Sequence, residues 1–541
     1  MHNYFMFINF LRFSGATHYH RRLFLSACQP TIFMTTLLQM RKRKVSAASL
    51  MLLLILSACS VHTPAKVELL PEVLQKVNAA TAISADELTL SIDDKWWHNF
   101  SDPQLSTLIE LALNNNPDLS ASLSRVKSSQ AGLAIAAADV YPDLNLTTSA
   151  SSDITELKKV NSASFGLSSS WELDLWGKIS SLEEKAKWDL VTQQALFKAK
   201  ANTVAGAITT AWIGWLAEME KQRLFASQYK RTQTAYEVIN RRFAMGKNSI
   251  TDVWQQKRLI ESIISQQAVN HARLASFEKQ LQLWLGVSSN ELPELLERSL
   301  PDVKPLGNFS LPLSGLQNRP DIQQAYARLQ ASNANLAAAV TEKFPRLSLR
   351  ATYTTQQNSL ADLFDDWSGN LVASIAMPIF NAGAIDAKIE QRQHSFEATY
   401  ADYKQTWLDA IYAVENTMIT ASQLEQVNKQ LDVQLLLAKK TERVVSLRYL
   451  NGKSTYLALL RAQETSLNLE RQRVDAQRNL LNNRVQLYRE LSHGNFSSEA
   501  PFSPIPFTSQ PQTEASAPQA STNKLNALFD LTLDLTLEKL S

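Results

Sequence analysis

Ser162 to Leu175 reads SASFGLSSSWELDL, and Trp176-Gly177 then leads into Lys178 to about Met245, a stretch without proline. The first part alternates. Ala163, Phe165, Leu167, Trp171, Leu173 and Leu175 fall on one side, and Ser162, Ser164, Ser168, Ser170, Glu172 and Asp174 on the other, with Ser169 the one break on the apolar side. A period of two sends successive side chains to opposite faces of a strand. The second part is built of helix formers, and roughly 66 helical residues at 1.5 Å each reach roughly 100 Å. A helix of that length needs neighbours all along it to bury its apolar stripe, so strand plus helix imply a bundle or tube rather than a small globule.

The same order of features occurs twice. Asn116-Pro117-Asp118-Leu119 corresponds to Arg319-Pro320-Asp321-Ile322, and an Ala-rich helical stretch follows each, ending at Pro142 or Pro345, with 25 residues from proline to proline both times and an offset of 203. Trp171 to Gly177 corresponds to Met377 to Gly383, and Arg242-Phe243 with Gly246-Lys247 to Arg448-Tyr449 with Gly452-Lys453, now at an offset of 206. A three-residue length change inside a loop explains the step. An internal repeat of this kind sets the architecture. Val204, Ile208, Trp212, Trp215 and Met219 form an apolar stripe at helical spacing, and Ala410, Val414 and Met418 match it in the second half. These read as helix-packing seams.

Each half also carries a hairpin, about 143–175 and about 346–380. Asp143 to Ser151 alternates through Leu144, Leu146 and Ala150; Leu347, Leu349, Ala351 and Tyr353 oppose Arg346, Ser348, Arg350 and Thr352; Leu371, Ala373, Ile375, Met377 and Ile379 complete the set. Two-faced strands of about 10 residues are the pattern of a membrane barrel. Four strands are too few to close one, and three protomers give 12. The tips, 153–161 and 355–369, are mostly polar and are expected to face outward.

Composition excludes several classes of function. Net charge is +3, which gives no argument for nucleic acid. The two cysteines, Cys28 and Cys59, leave no thiol chemistry or Cys-based metal site in the body of the chain, and no HExxH, phosphate loop or GxSxG elbow occurs. No catalytic residue, metal site or cofactor is expected.

The amino terminus reads as an address. Arg41-Lys42-Arg43-Lys44 precedes Val45 to Leu56, mostly apolar, and Leu56-Ser57-Ala58-Cys59 closes it. Basic, apolar and small is the order of a secretory signal. The ending resembles a bacterial lipobox, which implies cleavage before Cys59, acylation of Cys59 and, with Ser60 next, retention in the outer membrane. Leu25-Ser26-Ala27-Cys28 lacks an apolar core before it, and Met34 or Met40 gives a more conventional start than Met1.

Lys95-Trp96-Trp97-His98-Asn99-Phe100-Ser101-Asp102-Pro103, Asn115 to Leu119 and Trp171 to Gly177 together resemble the outer-membrane factors of tripartite efflux pumps, over about residues 60 to 493. The resemblance implies an α+β membrane protein: a trimeric 12-stranded outer-membrane β-barrel, four strands per protomer, continuous with a long periplasmic α-helical barrel. It implies a homotrimeric duct without a catalytic step, powered by an inner-membrane pump and joined to a periplasmic adaptor. The adaptor-contacting tips would be Arg242, Phe243, Gly246, Lys247 and Ser249 in the first half and Arg448, Tyr449, Gly452, Lys453 and Ser454 in the second. Each reads as a helix ended by glycine, with a Ser or Thr to cap the next.

In relatives, hydrogen bonds near these tips hold the pore shut. The matching gate pairs are Tyr449 with Asp252 and Ser454 with Thr251, though Ser454 stands where the family example has Arg. Ala458 and Arg461 occupy positions where acidic residues are common, so three copies would form an Arg461 ring favouring anionic solutes; the alternative is that Arg461 pairs with Glu464 on its own helix. The domains expected are 1–58 extension and signal, 59–100 lipid anchor and arm, 101–295 first repeat, 296–494 second repeat, and 495–541 a Pro/Ser/Thr-rich tail. The function expected is passive conduction of drugs and toxic small molecules. A duct for type I protein secretion and a structural coiled-coil lipoprotein of the periplasm are the alternatives.

Overall fold

The computed structural model describes residues 95–152, 160–302, 316–359 and 362–492. The expectations for the signal and Cys59, the arm that follows it, the turn at 153–159 and the tail from 495 onward lie outside the described residues. The described residues form two compact units, one of 138–152, 160–182, 334–359 and 362–392, the other of 95–137, 183–302, 316–333 and 393–492. Both units draw segments from both halves of the repeat.

The first unit holds a four-stranded antiparallel sheet in the order β1 (Asn145–Ser152), β2 (Val160–Leu173), β3 (Arg346–Gln357) and β4 (Ser368–Ala376). The register aligns the alternation across all four strands. Leu146 lies opposite Leu167 and Leu167 opposite Tyr353; the next rows are Ser169–Ala351–Leu371, Trp171–Leu349–Ala373 and Leu173–Leu347–Ile375. The other face carries Ser168–Thr352–Asn370, Ser170–Arg350–Val372 and Glu172–Ser348–Ser374. Directly opposed residues share a face, so in these rows one side is apolar except at Ser169 and the other polar except at Val372. In the described chain β1 and β4 are the sheet's edges, and every residue of β4 is exposed.

Three strand limits and one tip depart from the sequence expectation. β4 stops at Ala376, before Met377 and Ile379, because Pro378 has no N–H to donate and restrains Met377. β2 stops at Leu173, leaving Leu175 outside, because Asp174 turns to the next helix: its carboxylate accepts from the backbone N–H of Ile179 (3.0 Å) and Ser180 (2.8 Å). β1 begins at Asn145, and the Asp143 carboxylate accepts from the Ser170 hydroxyl instead of facing along the strand. The second tip, expected to be polar, contains an aromatic cluster. Phe364 and Trp367 stand edge-on to Phe165 at 5.6 and 6.1 Å, and Trp367 stacks on Tyr353 at 4.9 Å.

The helices are α1 (Pro103–Asn115), α2 (Pro117–Ala138), α3 (Lys178–Ala244), α4 (Ile250–Leu285), α5 (Pro320–Thr341), α6 (Ala384–Leu450) and α7 (Tyr456–Leu491). The repeat is close to symmetric: 22 residues in α2 and α5, 67 in α3 and α6, 36 in α4 and α7. The seams are where the stripes predicted them. Val204, Ile208, Trp212 and Trp215 are buried in one core, and Ala410 and Val414 with Tyr403 and Trp407 in a second.

The Trp96 to Pro103 segment is structural. Trp96 and Trp97 lie in a 3-10 turn and are fully buried. Trp96 Nε1 donates to Asn202 Oδ1 (3.1 Å), whose amide donates to the Arg489 carbonyl (3.0 Å). Asp102 caps α1 through Oδ1 and accepts from Trp212 Nε1 through Oδ2 at 2.7 Å. The sequence segment that carried the resemblance thus locks the start of α1 against the middle of α3.

Candidate functional site: the two helical corners

α3 and α6 end alike. Gly246 adopts φ +69° and donates its N–H to the Phe243 carbonyl (2.8 Å), while Lys247 N–H reaches the Arg242 carbonyl (2.8 Å). Gly452 adopts φ +71° and donates to Tyr449 (3.0 Å), and Lys453 to Arg448 (2.7 Å). This pair of hydrogen bonds satisfies carbonyls that a helix end would leave open. A Cβ at either glycine would meet nothing within 4 Å, so only backbone strain opposes substitution. Gly246→Val and Gly452→Val are each expected to cost about 1–2 kcal/mol, read as a lowered thermal midpoint.

Capping follows at equivalent positions. Ser249 Oγ accepts from Thr251 N–H (3.2 Å), and Asp252 reaches back to Ser249 N–H (3.2 Å), a reciprocal cap on α4. On α7 the cap is Thr455, which accepts from Ala458 N–H (3.3 Å); Ser454 precedes it.

The corners meet through Asn248. Its amide nitrogen donates to Asp252 Oδ2 (2.9 Å) and to the Tyr449 hydroxyl (2.5 Å), and its oxygen accepts from Arg242 Nε (3.0 Å). Arg242 also donates to the Leu450 carbonyl (3.3 Å) and lies over the Tyr449 ring at 4.9 Å. Tyr449 and Asp252, paired by resemblance, are thus brought together within the chain with Asn248 between them. Thr251 Oγ1 lies 2.8 Å from Ser249 Oγ, and no hydrogen bond joins it to Ser454 among the described residues. Asn248 escaped sequence reading although it aligns with Ser454 at the 206 offset, because nothing local marks its three partners.

Beneath the corners Val253, Leu259, Ile263, Tyr449, Tyr456 and Leu460 share a core with Phe225 and Ile239. Burial raises the Tyr456 phenol well above its usual range, and its hydroxyl donates to Gln256 Oε1 at 2.9 Å. The Arg461–Glu464 pairing is not formed: Glu464 accepts from Arg258 of α4 at 2.9 Å, and Arg461 is exposed. A pair within one helix is displaced because Arg258 reaches the same carboxylate from a neighbouring helix. Ala458 is half-buried.

Further along α7, burial would raise the Glu470 carboxyl, but Gln228, Arg231 and Lys439 outweigh that and hold it below its ordinary range. Among the described residues no cluster suits a metal ion, and no helix is long and apolar enough to cross a membrane.

The family description "Outer membrane efflux protein" matches residues 108–287 and 311–493, more than half of the chain. The chain belongs to this family. Among its relatives are the pyoverdine export outer membrane protein OpmQ of Pseudomonas putida, 26% identical over 82% of this chain and 96% of OpmQ, and the cation efflux system protein CusC of Escherichia coli, 28% identical over 74% and 88%. The probable outer membrane lipoprotein SilC of Salmonella typhimurium is 26% identical over 76% and 92%. The solved structure of CusC superposes with a TM-score of 0.69 at 26% identity, covering 74% of this chain and 95% of CusC. VceC of Vibrio cholerae, at 22% identity and TM-score 0.69, shares the fold. This outer membrane efflux protein is therefore an efflux channel of the outer membrane that extends into the periplasm. Its glycine corners are the ends of its longest helices.

Proposed function

We propose that three copies of this chain form a passive duct, a 12-stranded barrel in the outer membrane continuous with a periplasmic helical barrel, through which an inner-membrane pump and a periplasmic adaptor expel toxic small molecules. The observation that carries this reading is the sheet. Its predominantly apolar face runs across all four strands, and β1 and β4 each present an edge. Edge strands invite pairing, and closure of β4 onto a neighbour's β1 removes every edge at once. The duct has no chemistry to perform and no cofactor to hold.

In this reading acylated Cys59 anchors the chain, and Arg242, Phe243, Gly246, Lys247, Ser249, Arg448, Tyr449, Gly452, Lys453 and Ser454 meet the adaptor. Thr251, Asp252, Tyr449, Ser454, Ala458 and Arg461 stand at the narrow end. The two repeats, 101–295 and 296–494, contribute one hairpin and one corner each. Membrane fractionation combined with heat-modifiable migration on a gel tests the assembly: an outer-membrane trimer that dissociates only on heating is expected, and a monomer in the inner membrane would sink the reading.

Arg461 sets the expected ion preference. Its guanidinium has no carboxylate partner among the described residues, since Glu464 is held by Arg258. Three such cations around a narrow opening favour anions. Single-channel recording of Arg461→Asp in a planar bilayer should show selectivity displaced toward cations, and unchanged selectivity would remove Arg461 from the lumen.

A further inference from the structure

The corners carry a concentrated positive charge. Arg241 to Val253 and Leu447 to Leu459 together hold five cations, Arg241, Arg242, Lys247, Arg448 and Lys453, against one carboxylate, Asp252. That is a net +4 in two short segments of a chain whose total is +3. The structure separates the inward charges from the outward ones. Asp252 is tied to Ser249 and Asn248, and Arg242 to Asn248 and Leu450. Arg241, Lys247, Arg448 and Lys453 are exposed, and none has a carboxylate within ion-pair distance among the described residues.

Apolar side chains stand among these cations. Met245 and Trp254 are 61% and 62% exposed, and Leu450 50%. Exposed aromatic and aliphatic groups beside unpaired charge mark a surface that is covered in use.

We propose that the corners dock an acidic protein surface: the adaptor's docking segment carries carboxylates facing Arg241, Lys247, Arg448 and Lys453, with apolar side chains set against Met245 and Trp254. This rests on the adaptor reading above and adds the partner's chemistry. An anionic bilayer would also attract cations and an indole. The corners argue for protein because an outward lysine is held at the same place on two glycine-ended, capped turns, Lys247 and Lys453, whereas a lipid surface requires neither duplication nor fixed geometry.

The test uses the full-length protein in detergent and the purified periplasmic adaptor of the same cell's pump. Raising KCl from about 0.1 M to about 1 M shortens the screening length from about 10 Å to about 3 Å. Adaptor affinity is expected to fall about tenfold or more over that range, and Lys247→Glu with Lys453→Glu to lower it comparably at low salt. Lys247→Gln with Lys453→Gln should lie between, with thermal midpoints unchanged. Reversing acidic residues of the adaptor's docking segment to lysine should restore binding to the charge-reversed corners. Tight binding that is indifferent to salt and to both substitutions overturns the acidic surface and leaves the duct intact. Capture of phosphatidylglycerol vesicles by the corners, with no adaptor binding at any salt, overturns the adaptor reading as well.

Discussion

Trp212→Ala is expected to destabilise the helical unit by about 3–5 kcal/mol, the range for a fully buried tryptophan truncated to alanine. Trp212 is 0% exposed, and its ring stacks on Trp215 at 5.2 Å with an interplanar angle of 10°. It fills the core that Trp96, Trp97, Ile208 and Leu216 line. Part of the loss is polar. Without the indole N–H, Asp102 Oδ2 loses its partner while Oδ1 still caps α1. Trp212→Phe separates the two effects: most of the apolar volume stays, so the loss should shrink to about 1–3 kcal/mol, the cost of leaving a buried acceptor unpaired. Chemical denaturation followed by circular dichroism reads both. Equal losses for Ala and Phe would mean that the hydrogen bond, not the packing, holds α1 to α3.

Leu371→Arg is expected to abolish stable insertion. Leu371 lies in the middle row of the apolar face beside Ala351 and is 74% exposed in the single chain. In a closed barrel it faces lipid, where an arginine costs about 2–4 kcal/mol at mid-depth. Three copies multiply the effect. The adjacent residue is the control: Asn370 pairs with Thr352 on the polar face, so Asn370→Arg should assemble and fractionate with the outer membrane as the parent does. Heat-modifiable migration and urea extraction of membranes distinguish the two. If both assemble, the apolar face is not the lipid face.

Most of the architecture was legible because it is periodic. An alternation of two and an absence of proline are written along the chain, and the 206 offset exposes the repeat without any contact being known. The corners were legible for the same reason: a glycine after a long helical run, then Ser249 or Thr455, is a local stop and start. Strand ends were read less well, since Asp174 and Pro378 act through the next segment and not through alternation. The aromatic cluster of Phe165, Tyr353, Phe364 and Trp367 was missed because it joins two hairpins about 200 residues apart in sequence.

What the sequence by itself determined is therefore the inventory: two hairpins with one apolar face each, two pairs of long helices, two glycine corners and a chain built for an envelope. What only the tertiary structure decided is the pairing of parts distant in sequence. It aligned β2 with β3 so that the two apolar faces became one, tied Trp212 to Asp102, placed Asn248 between Asp252 and Tyr449, and gave Glu464 to Arg258 rather than to Arg461. The physical reason is range. Backbone propensity and side-chain period act over a few residues and leave a local trace, whereas a hydrogen bond or ion pair across the bundle depends on which helices become neighbours, and no spacing along the chain records that.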